Sequence, residues 1–358
     1  MDEPVILVVC RGDNMHGLQK LLFSFDQAKI PSGTMLYLSI NGKATKETLK
    51  IAENWKWGFG KKEVVKRNKK LGHEEHILKA SDEAAAKGNF FVFSDKDIVS
   101  PAFFQFGKAA LEHFKDWDEI AAIQLKTIHE NVHTGFPFSP VSAGHDVYLT
   151  GRFTKIPALW LSQKWLSFRN QANGEKLQSG HNKNHQKNNQ NLSEIITQWL
   201  TKHNLFLAIP YFSYTCGNIE ANQTQYPFRK LDFFASSASN EIYDRYPFQL
   251  EEAIRYDSWF ELLPDCLVSL TGRWDNIDFT VDINGSKPLE DIKTPWLISS
   301  KLGKNPRGAF DMHYAPPEAN IILNNTGTDV MMARTNSFSD GIFSWYHKRK
   351  VFEKLWKE

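Results

Sequence analysis

The sequence is poor in cysteine, and its three cysteines, Cys10, Cys216 and Cys266, lie far apart and form no Cys-x-x-Cys pair. This spacing argues against a disulfide framework and against a cysteine-ligated zinc site. The chain also lacks a large charge excess, since its formal net charge is only +2. No overall electrostatic field would therefore draw it to nucleic acid. No apolar run reaches the roughly 18 residues that span a bilayer, and the N-terminal residues show no targeting signal. We therefore expect a cytoplasmic protein with reduced cysteines in its core.

Aromatic residues, by contrast, are abundant: they make up 13% of the chain, with 26 Phe and 11 Trp. Such an excess fits a large core, but it also fits flat surfaces that stack on sugars or lie at a membrane interface. The hydrophobic fraction of 41% and the charged fraction of 23% are those of a soluble globular protein. A chain of 358 residues is long enough for one large domain or two ordinary ones.

Apolar runs of strand length alternate with segments of helical periodicity in the first part of the chain. Strands are predicted at 4–10, 34–42, 62–68 and 89–97, and helices at 16–30, 45–55 and 72–88. Thr45 is the predicted N-cap of the second helix. This alternation predicts a doubly wound α/β sheet, whose ligands bind beyond the carboxyl ends of the strands. Arg11, Asn41, Asp95 and Asp97 all fall at such ends.

The rest of the chain is less regular. We predict a strand at 119–125, a Pro/Gly-rich loop at 133–144, a strand, turn and helix within 146–166, and a helix and strand within 192–215. We assign residues 1–230 to one domain and residues 231–358 to an irregular C-terminal extension rich in Phe, Trp and Pro.

Two segments leave alternatives open. Residues 170–191 are polar and almost free of apolar groups, so they form either a tolerated insertion or a flexible loop that closes over a ligand. The last residues, "FSWYHKRKVFEKLWKE", mix aromatic and basic side chains. They predict an amphipathic helix that either closes a core or docks at an anionic membrane surface.

Asp95 and Asp97, one residue apart at the end of the apolar run "NFFVFSDKD", are the strongest chemical signal. Two adjacent carboxylates repel each other unless a cation lies near them, and Mg²⁺ and Mn²⁺ prefer such oxygen ligands together with substrate phosphates. An isolated pair of this kind can also be a solvated turn. The pattern D-x-D-x-V is also shared with haloacid-dehalogenase-like phosphatases, in which Asp95 would be the nucleophile. Those enzymes usually carry the motif on the first strand, whereas here it follows the fourth.

The order of the motifs over residues 4–215 resembles the GT-A fold of nucleotide-diphospho-sugar glycosyltransferases. The resemblance is carried by "VILVVCRGDNMHGLQKLLFSF", "LSING", "HILKASDEAAAKGNFFVFSDKD", "DVYLTGRFTKIP" and "LSEIITQWLTKHNLFLAIPY". The segment "DIVSPAFFQFGKAAL" is similar to N-acetylglucosaminyltransferase-like members. The implied fold is a GT-A-like mixed sheet flanked by helices, and the implied ligand is a nucleotide-sugar donor.

The same resemblance implies roles for individual residues. Arg11 would lie in the nucleotide loop, and Asn41, where related families often have Asp, would lie under the nucleobase. Lys79 would belong to the donor site. Asp95 would face the ribose or the water shell of the metal, and Asp97 would bind the Mn²⁺ or Mg²⁺ ion itself.

The acceptor side is implied in less detail. Glu194 would be the general base of an inverting reaction, although family-2-like members commonly have Glu-Asp where this chain has Ser193-Glu194. The alternative for Glu194 is an ordinary acidic residue at a helix N-terminus, and Asp146 is the second candidate base. The resemblance implies transfer of a hexosyl or N-acetylhexosaminyl group to a glycan or lipid-linked glycan in bacterial surface polysaccharide synthesis, with peripheral membrane contact as a further possibility. A catalytically inactive nucleotide-binding module remains the non-enzymatic alternative.

The stretch "HEEH" carries two histidines, His73 and His76, that are three residues apart. The helical zinc motif requires a spacing of four, so a zinc pair is not expected here. A solvated helix start is the expectation for both.

Overall fold

The computed structural model describes residues 3–154, 157–174, 191–217 and 245–340. The chain divides into two compact units: the first comprises Met1–Thr127 and Phe153–Tyr246, and the second comprises Ile128–Arg152 and Pro247–Glu358. No compositional change in the sequence marks residues 128–152 as part of the second unit. The functional division into 1–230 and 231–358 stays a prediction.

The first unit is an α/β structure, with elements numbered in chain order through both units. Its strands are β1 (Val5–Cys10), β2 (Leu36–Ile40), β3 (Lys62–Lys66), β4 (Phe90–Ser94), β5 (Asp97–Val99), β6 (Ile120–Gln124), β10 (Ala158–Trp160), β11 (Phe206–Pro210) and β12 (Thr215–Gly217). Its helices are α1 (Met15–Asp26), α2 (Lys46–Asn54), α3 (His73–Ala85), α4 (Phe103–Phe114), α5 (Ser162–Gly174) and α6 (Leu192–Lys202).

Seven strands of this unit lie side by side in the order β11-β6-β10-β4-β1-β2-β3. Neighbouring pairs are parallel, except that β10 runs antiparallel to both β4 and β6. The short pair β5–β12 is antiparallel and lies outside this row of strands. The arrangement confirms the predicted α/β fold class, a mixed sheet flanked by helices.

Local sequence explains most of these elements. The side chain of Thr45 accepts a hydrogen bond from Thr48 N and caps α2, as predicted. The continuous apolar runs in β1 and β4 are buried throughout, as expected for strands covered on both faces. Strand β10 was not foreseen, because its three residues, Ala-Leu-Trp, are too short to show any periodicity.

Part of the aromatic excess lies in the core of the first unit. The following large side chains are less than 2% exposed: Trp160, Trp165, Phe25, Phe90, Phe91, Phe93, Phe103, Phe104, Phe106 and Phe114. Gly107 of α4 allows close packing on β4, because a Cβ atom there would lie 2.6 Å from the ring of Phe91. The interpretation of the aromatics as core residues therefore holds for these ten positions.

The second unit contains more regular structure than its sequence indicates. Its strands are β7 (Glu130–Asn131), β8 (Phe136–Pro137), β9 (Val147–Thr150), β13 (Arg255–Tyr256), β14 (Phe279–Asp282), β15 (Trp296–Ser299), β16 (Gly308–Phe310) and β17 (Val330–Arg334), and its helices are α7 (Pro264–Thr271) and α8 (Glu318–Ile322). The last four strands form a sheet in the order β14-β15-β17-β16. Each has only three to five residues, so no period-two pattern stands out in a region expected to be irregular.

A pair of buried acids, Glu261 and Asp282, lies within the second unit. Glu261 accepts hydrogen bonds from Ile283 N and from the backbone and side-chain nitrogens of Asn284. Asp282 accepts hydrogen bonds from Lys287 N and from the hydroxyl of Ser299. Burial raises the pKa of both carboxyl groups, and for Glu261 the nearby Asp282 raises the pKa further.

Some predictions fall partly or wholly outside the described residues. The first residues of the polar segment 170–191 continue α5 to Gly174, and 175–190 lie outside the described ranges. The amphipathic helix predicted at the end of the chain lies beyond them as well. Among the helices that the structure describes, none is both long and apolar enough to cross a bilayer.

Candidate active site

The candidate site begins where β1, β2 and β4 end. Cys10 pairs with Ile40, and Val9 pairs with Ser94, so the three strands finish almost level with one another. Asn41 N continues the ladder by donating to Cys10 O. The residues that follow the three strands, Arg11, Asn41 and Asp95, therefore meet at one carboxyl edge, as the strand pattern predicted.

Asp95 is fully buried and anchors the loop that follows β1. Its Oδ2 accepts hydrogen bonds from Arg11 N at 2.9 Å and from Cys10 Sγ at 3.5 Å. Its Oδ1 is buried and has no hydrogen-bond partner among the described residues. Burial raises the pKa of the carboxyl group, while the bonds from Arg11 N and Cys10 Sγ oppose that shift. One buried acceptor of Asp95 is thus left unsatisfied by the described residues.

The loop between β1 and α1 also contacts the backbone carbonyl of Asp95. Asn14 caps α1 by accepting from Gly17 N at 3.0 Å, and its amide donates to Asp95 O at 2.9 Å. A Cβ atom at Gly17 would lie 2.1 Å from both Asn14 Nδ2 and Asp95 O, so only glycine allows this approach. The Arg11 side chain, 45% exposed, extends from this loop toward Asp13. These bonds fix the backbone from which Arg11 projects.

Asp97 begins β5, and its side chain turns back toward the end of β4. Its Oδ2 accepts from Ser94 N at 2.7 Å and from Ser94 Oγ at 2.9 Å. The residue is only 8% exposed. Burial raises its pKa to about 6, although the two bonds from Ser94 and the charge of Lys126 act in the opposite direction. The other carboxylate oxygen, Oδ1, is not used by the bonds to Ser94.

The two aspartates fit a divalent cation only if other ligands come from outside the protein. Across the described ranges, no group of three or more His, Cys, Asp or Glu side chains is arranged to hold a metal ion. Asp95 Oδ1 is an unsatisfied acceptor, and both carboxyl groups have raised pKa values that a nearby cation would lower. Mg²⁺ characteristically binds through one or two carboxylates plus substrate phosphates and water.

Asn41 lies at the predicted edge, but its side chain is engaged with backbone. Its Nδ2 donates to Leu71 O at 3.0 Å, and its Oδ1 accepts from Leu71 N at 3.2 Å. An aspartate could not donate to Leu71 O, which explains why an amide suits this position. Asn41 therefore joins the end of β2 to the segment that leads into α3. Its contact with a nucleobase stays a prediction.

Lys79 lies in the middle of α3, with an exposed side chain. It is six residues beyond His73, or about 9 Å along the helix axis. Lys79 is also close enough to Glu83 to lower the pKa of that carboxyl group, after the larger effects of Arg67 and Tyr37. The structure does not bring Lys79 to the start of α3, and its role in donor binding stays a prediction.

The start of α3 supplies groups near the site that sequence reasoning did not assign. Partial desolvation lowers the pKa of His73, and the cations Arg11 and Lys96 lower it further, while Asp95 acts in the opposite direction. These four residues are therefore electrostatic neighbours. His73 is exposed, as expected for a helix start.

His76 differs from the expectation of a solvated side chain. It is 1% exposed, and its Nε2 lies 2.8 Å from the hydroxyl of Ser39. Burial lowers the pKa of His76 to about 4, with a further contribution from Arg67, so the ring is neutral at pH 7. His76 lies on the buried face of α3 with Ile77 and Ala80, whereas His73, the first residue of the helix, is exposed.

The two candidate bases belong to different units. Glu194 is in the first turn of α6, where Asn191 Oδ1 accepts a hydrogen bond from Glu194 N at 3.0 Å. The N-terminus of α6 reaches the start of α3, because Leu192 N donates to Glu74 Oε1 at 2.9 Å. Asp146 immediately precedes β9 of the second unit. Within the first unit, Arg11, Asp95 and Asp97 thus lie at one edge of the sheet, and the start of α6 is bonded to Glu74 at the start of α3.

The fold and the site define an α/β protein with a mixed sheet and an acidic and basic cluster at its carboxyl edge. No protein-family model and no curated protein matches the chain by sequence. Among solved structures the chain is similar to TarS of S. aureus.

Residues 1–349 of TarS in complex with UDP-GlcNAc match with a TM-score of 0.40 and 12% identity, over 62% of this chain and 61% of that one. The same TarS segment in complex with UDP matches with a TM-score of 0.39 and 13% identity, over 59% of each chain. A further TarS structure matches with a TM-score of 0.40 and 12% identity, over 61% of this chain and 37% of that one. The alignment thus spans less than two thirds of each TarS chain, and neither an activity nor a residue role passes from TarS to this protein.

Proposed function

We propose that this protein is a glycosyltransferase that uses a nucleotide-diphosphate sugar as donor. The observation that carries the proposal is the pair Asp95 and Asp97 at the carboxyl end of β4, beside Arg11 and Lys96. A diphosphate is recognised by cations, whereas two carboxylates recognise a metal ion that bridges to phosphate oxygens. An edge that holds both kinds of group is suited to a metal-bound diphosphate.

Within this site each residue has a proposed task. Arg11 and Lys96 bind the diphosphate, and Asn41 lies under the base. Asp97, with Asp95 beside it, would hold Mn²⁺ or Mg²⁺, which supplies positive charge to the departing diphosphate. Asp95 also keeps the Arg11 loop in place through its bond from Arg11 N.

The reaction itself needs a base on the acceptor side. Glu194 takes the proton from an acceptor hydroxyl while the hydroxyl oxygen attacks the anomeric carbon. The bond between that carbon and the diphosphate oxygen breaks, and the nucleoside diphosphate leaves with the electron pair. Attack from the face opposite the leaving group inverts the anomeric centre. Asp146 is the alternative base.

The finer assignments rest on the resemblance seen in the sequence. The transferred group is a hexosyl or N-acetylhexosaminyl unit, and the acceptor is a glycan or a lipid-linked glycan of a bacterial surface polysaccharide. In this proposal the C-terminal extension, residues 231–358, contributes to the acceptor side. The protein acts in the cytoplasm, with peripheral contact at the inner face of the membrane through its C-terminal segment.

The test is a thermal-shift panel of nucleotides and nucleotide-sugars, with and without Mn²⁺, followed by turnover of any donor that binds. A ligand present at a hundred times its Kd stabilises the fold by about 2.7 kcal/mol, which a melting curve resolves. We expect one nucleoside diphosphate to stabilise the protein more in the presence of Mn²⁺, and its sugar ester to be cleaved.

Other outcomes would contradict the proposal in distinct ways. If no nucleotide changes the melting temperature, the protein has no donor site of the proposed kind. Tight nucleotide binding without turnover would indicate a binding module. Release of phosphate from monoesters through a phospho-Asp95 intermediate would indicate a phosphatase.

A further inference from the structure

A hydrogen bond between two helix starts links the proposed donor side to the proposed base. Glu74, the second residue of α3, accepts from Leu192 N at 2.9 Å across a sequence separation of 118 residues. Leu192 is the first residue of α6 and is 8% exposed. Glu194, the candidate base, follows two residues later.

The start of α3 is fixed against the donor side. His73, which precedes Glu74, is an electrostatic neighbour of Arg11, Lys96 and Asp95. Leu71, two residues before α3, is bonded through its backbone N–H and C=O to the side-chain amide of Asn41 at the end of β2. Glu74 therefore projects from a part of α3 that is anchored to the carboxyl edge of the sheet.

The start of α6 is also held by contacts with other parts of the chain. Its first N–H groups have no partners within the helix, so they must be satisfied from outside it. Asn191, the N-cap of α6, accepts a hydrogen bond from Glu194 N. Because Asn191 directly precedes the helix, this bond does not fix the helix relative to the rest of the protein. The hydroxyl of Ser193 donates to Thr154 O at 3.2 Å, and Thr197 binds Phe153 one turn later. Glu74 is thus the side chain that ties the first residue of α6 to the donor side.

We propose that Glu74 is a positioning residue that holds the N-terminal turn of α6, and with it Glu194, at the donor site. This inference rests on the proposed function. An ordinary cap is supplied by a neighbour in sequence and stabilises its own helix. Glu74 instead belongs to another helix, so its loss changes where α6 begins relative to Asp95 and Arg11, without removing any group that touches the substrate.

The kinetic test compares three variants. Glu74→Ala removes the acceptor, Glu74→Gln keeps an oxygen that can accept from Leu192 N, and Glu75→Ala is the matched control. Glu75 is the other acidic residue in the first turn of α3, but it accepts from Gly72 N within its own helix. We expect Glu74→Ala to lower kcat about tenfold or more, because small displacements of a catalytic group are costly, while KM for the donor changes less than about twofold. Glu74→Gln should recover most of kcat, and Glu75→Ala should resemble the parent protein.

A second measurement does not depend on activity. Hydrogen–deuterium exchange of the peptide containing Leu192 reports whether its N–H is held. We expect faster exchange of this peptide in Glu74→Ala, but neither in Glu74→Gln nor in Glu75→Ala. If the protein turns over no nucleotide-sugar at all, this measurement still tests the tether while the proposed function fails separately.

Three results would overturn the inference. Unchanged exchange at Leu192 in Glu74→Ala would show that the tether does not hold the helix. Faster exchange with an unchanged kcat would show that the tether does not position the base. Equal losses in Glu74→Ala and Glu75→Ala would point to a general weakening of the start of α3.

Discussion

The two units each contain a pair of buried acids, and the pairs are satisfied in different ways. In the second unit, all four oxygens of Glu261 and Asp282 accept hydrogen bonds. In the first unit, Asp95 Oδ1 is buried and has no partner among the described residues. Burial raises the pKa of the carboxyl groups in both pairs.

This difference distinguishes a fully hydrogen-bonded acid pair from a pair that keeps an unsatisfied acceptor, as the proposed cation site requires. A fully hydrogen-bonded network holds its surroundings in one arrangement and leaves no acceptor for anything else. An unsatisfied buried acceptor destabilises the protein until a donor or cation reaches it. A raised pKa alone does not distinguish the two cases, because the same burial produces it in both.

The largest expected effect is on catalysis. Asp97→Asn should lower turnover of the nucleotide-sugar by about 100-fold or more, because the site loses the charge that would hold a cation at the leaving group. The free energy of unfolding at pH 8 should not fall, since an amide oxygen can still accept from Ser94 and a buried charge is gone. Initial rates with and without Mn²⁺, together with urea denaturation, check both parts.

The matched control is Asp282→Asn in the second unit, which should leave turnover within about twofold of the parent value. Full Mn²⁺-dependent turnover in Asp97→Asn would contradict the proposed role of Asp97. Equal losses in the two variants would mean that the comparison does not separate structure from function.

The next largest effect is on stability. Glu261→Ala should lower the free energy of unfolding by about 3 kcal/mol, because Ile283 N and both nitrogens of Asn284 lose their acceptor in a buried site. Glu261→Gln, which keeps one acceptor oxygen, should lose less. Chemical denaturation at fixed pH measures both, and a loss below about 1 kcal/mol in Glu261→Ala would show that the network is not structural.

The pH dependence of stability should reflect the raised pKa values. An acid whose pKa is raised on folding stabilises the fold while it is protonated, and this contribution is lost as the pH rises through the folded-state value. For Asp97 the loss runs from its ordinary pKa near 4 to about 6. We expect the free energy of unfolding without cation to fall between about pH 4 and 6, and the stabilisation by Mn²⁺ with nucleotide to grow over the same window. A flat profile of both quantities would contradict this account.

The smallest expected effect distinguishes the two pairs through their serine donors. Ser94→Ala and Ser299→Ala each remove one hydroxyl donor, to Asp97 and Asp282 respectively, at a loss of about 1 kcal/mol. Only Ser94→Ala should move the pH window of the Mn²⁺ response upward, because the pKa of Asp97 rises when a donor to its ionised form is lost. Identical pH profiles of the Mn²⁺ response in Ser94→Ala and the parent protein would argue against this coupling.

Residues at the ends of long, apolar strands were predictable from sequence. The runs before Arg11, Asn41 and Asp95 fixed their strand-end positions, and parallel pairing then placed these three residues at one edge. The N-cap at Thr45 was local enough to be recognised from residue types alone.

Contacts between distant residues were not predictable in this way. The bond from Leu192 to Glu74 and the approach of Gly17 to Asp95 O depend on tertiary packing, which leaves no local pattern. Strand β10 and the four-stranded sheet of the second unit were missed because their strands are too short to show a period. The burial of His76 was detectable in principle, since it is one residue before Ile77 and four before Ala80 on the buried face of α3.

The pairing of β5 with β12 sets an order of assembly. Asp97 lies opposite Gly217, and Ser100 N donates to Tyr214 O at 2.9 Å, so a late part of the chain completes the backbone around an early carboxylate. During synthesis, β1 to β4 can form their parallel sheet well before residue 217 is made. The segment that carries Asp97 reaches its final geometry only afterwards. A nascent chain stalled before β12 would therefore possess the sheet and Asp95 while the backbone around Asp97, the proposed cation ligand, was still incomplete.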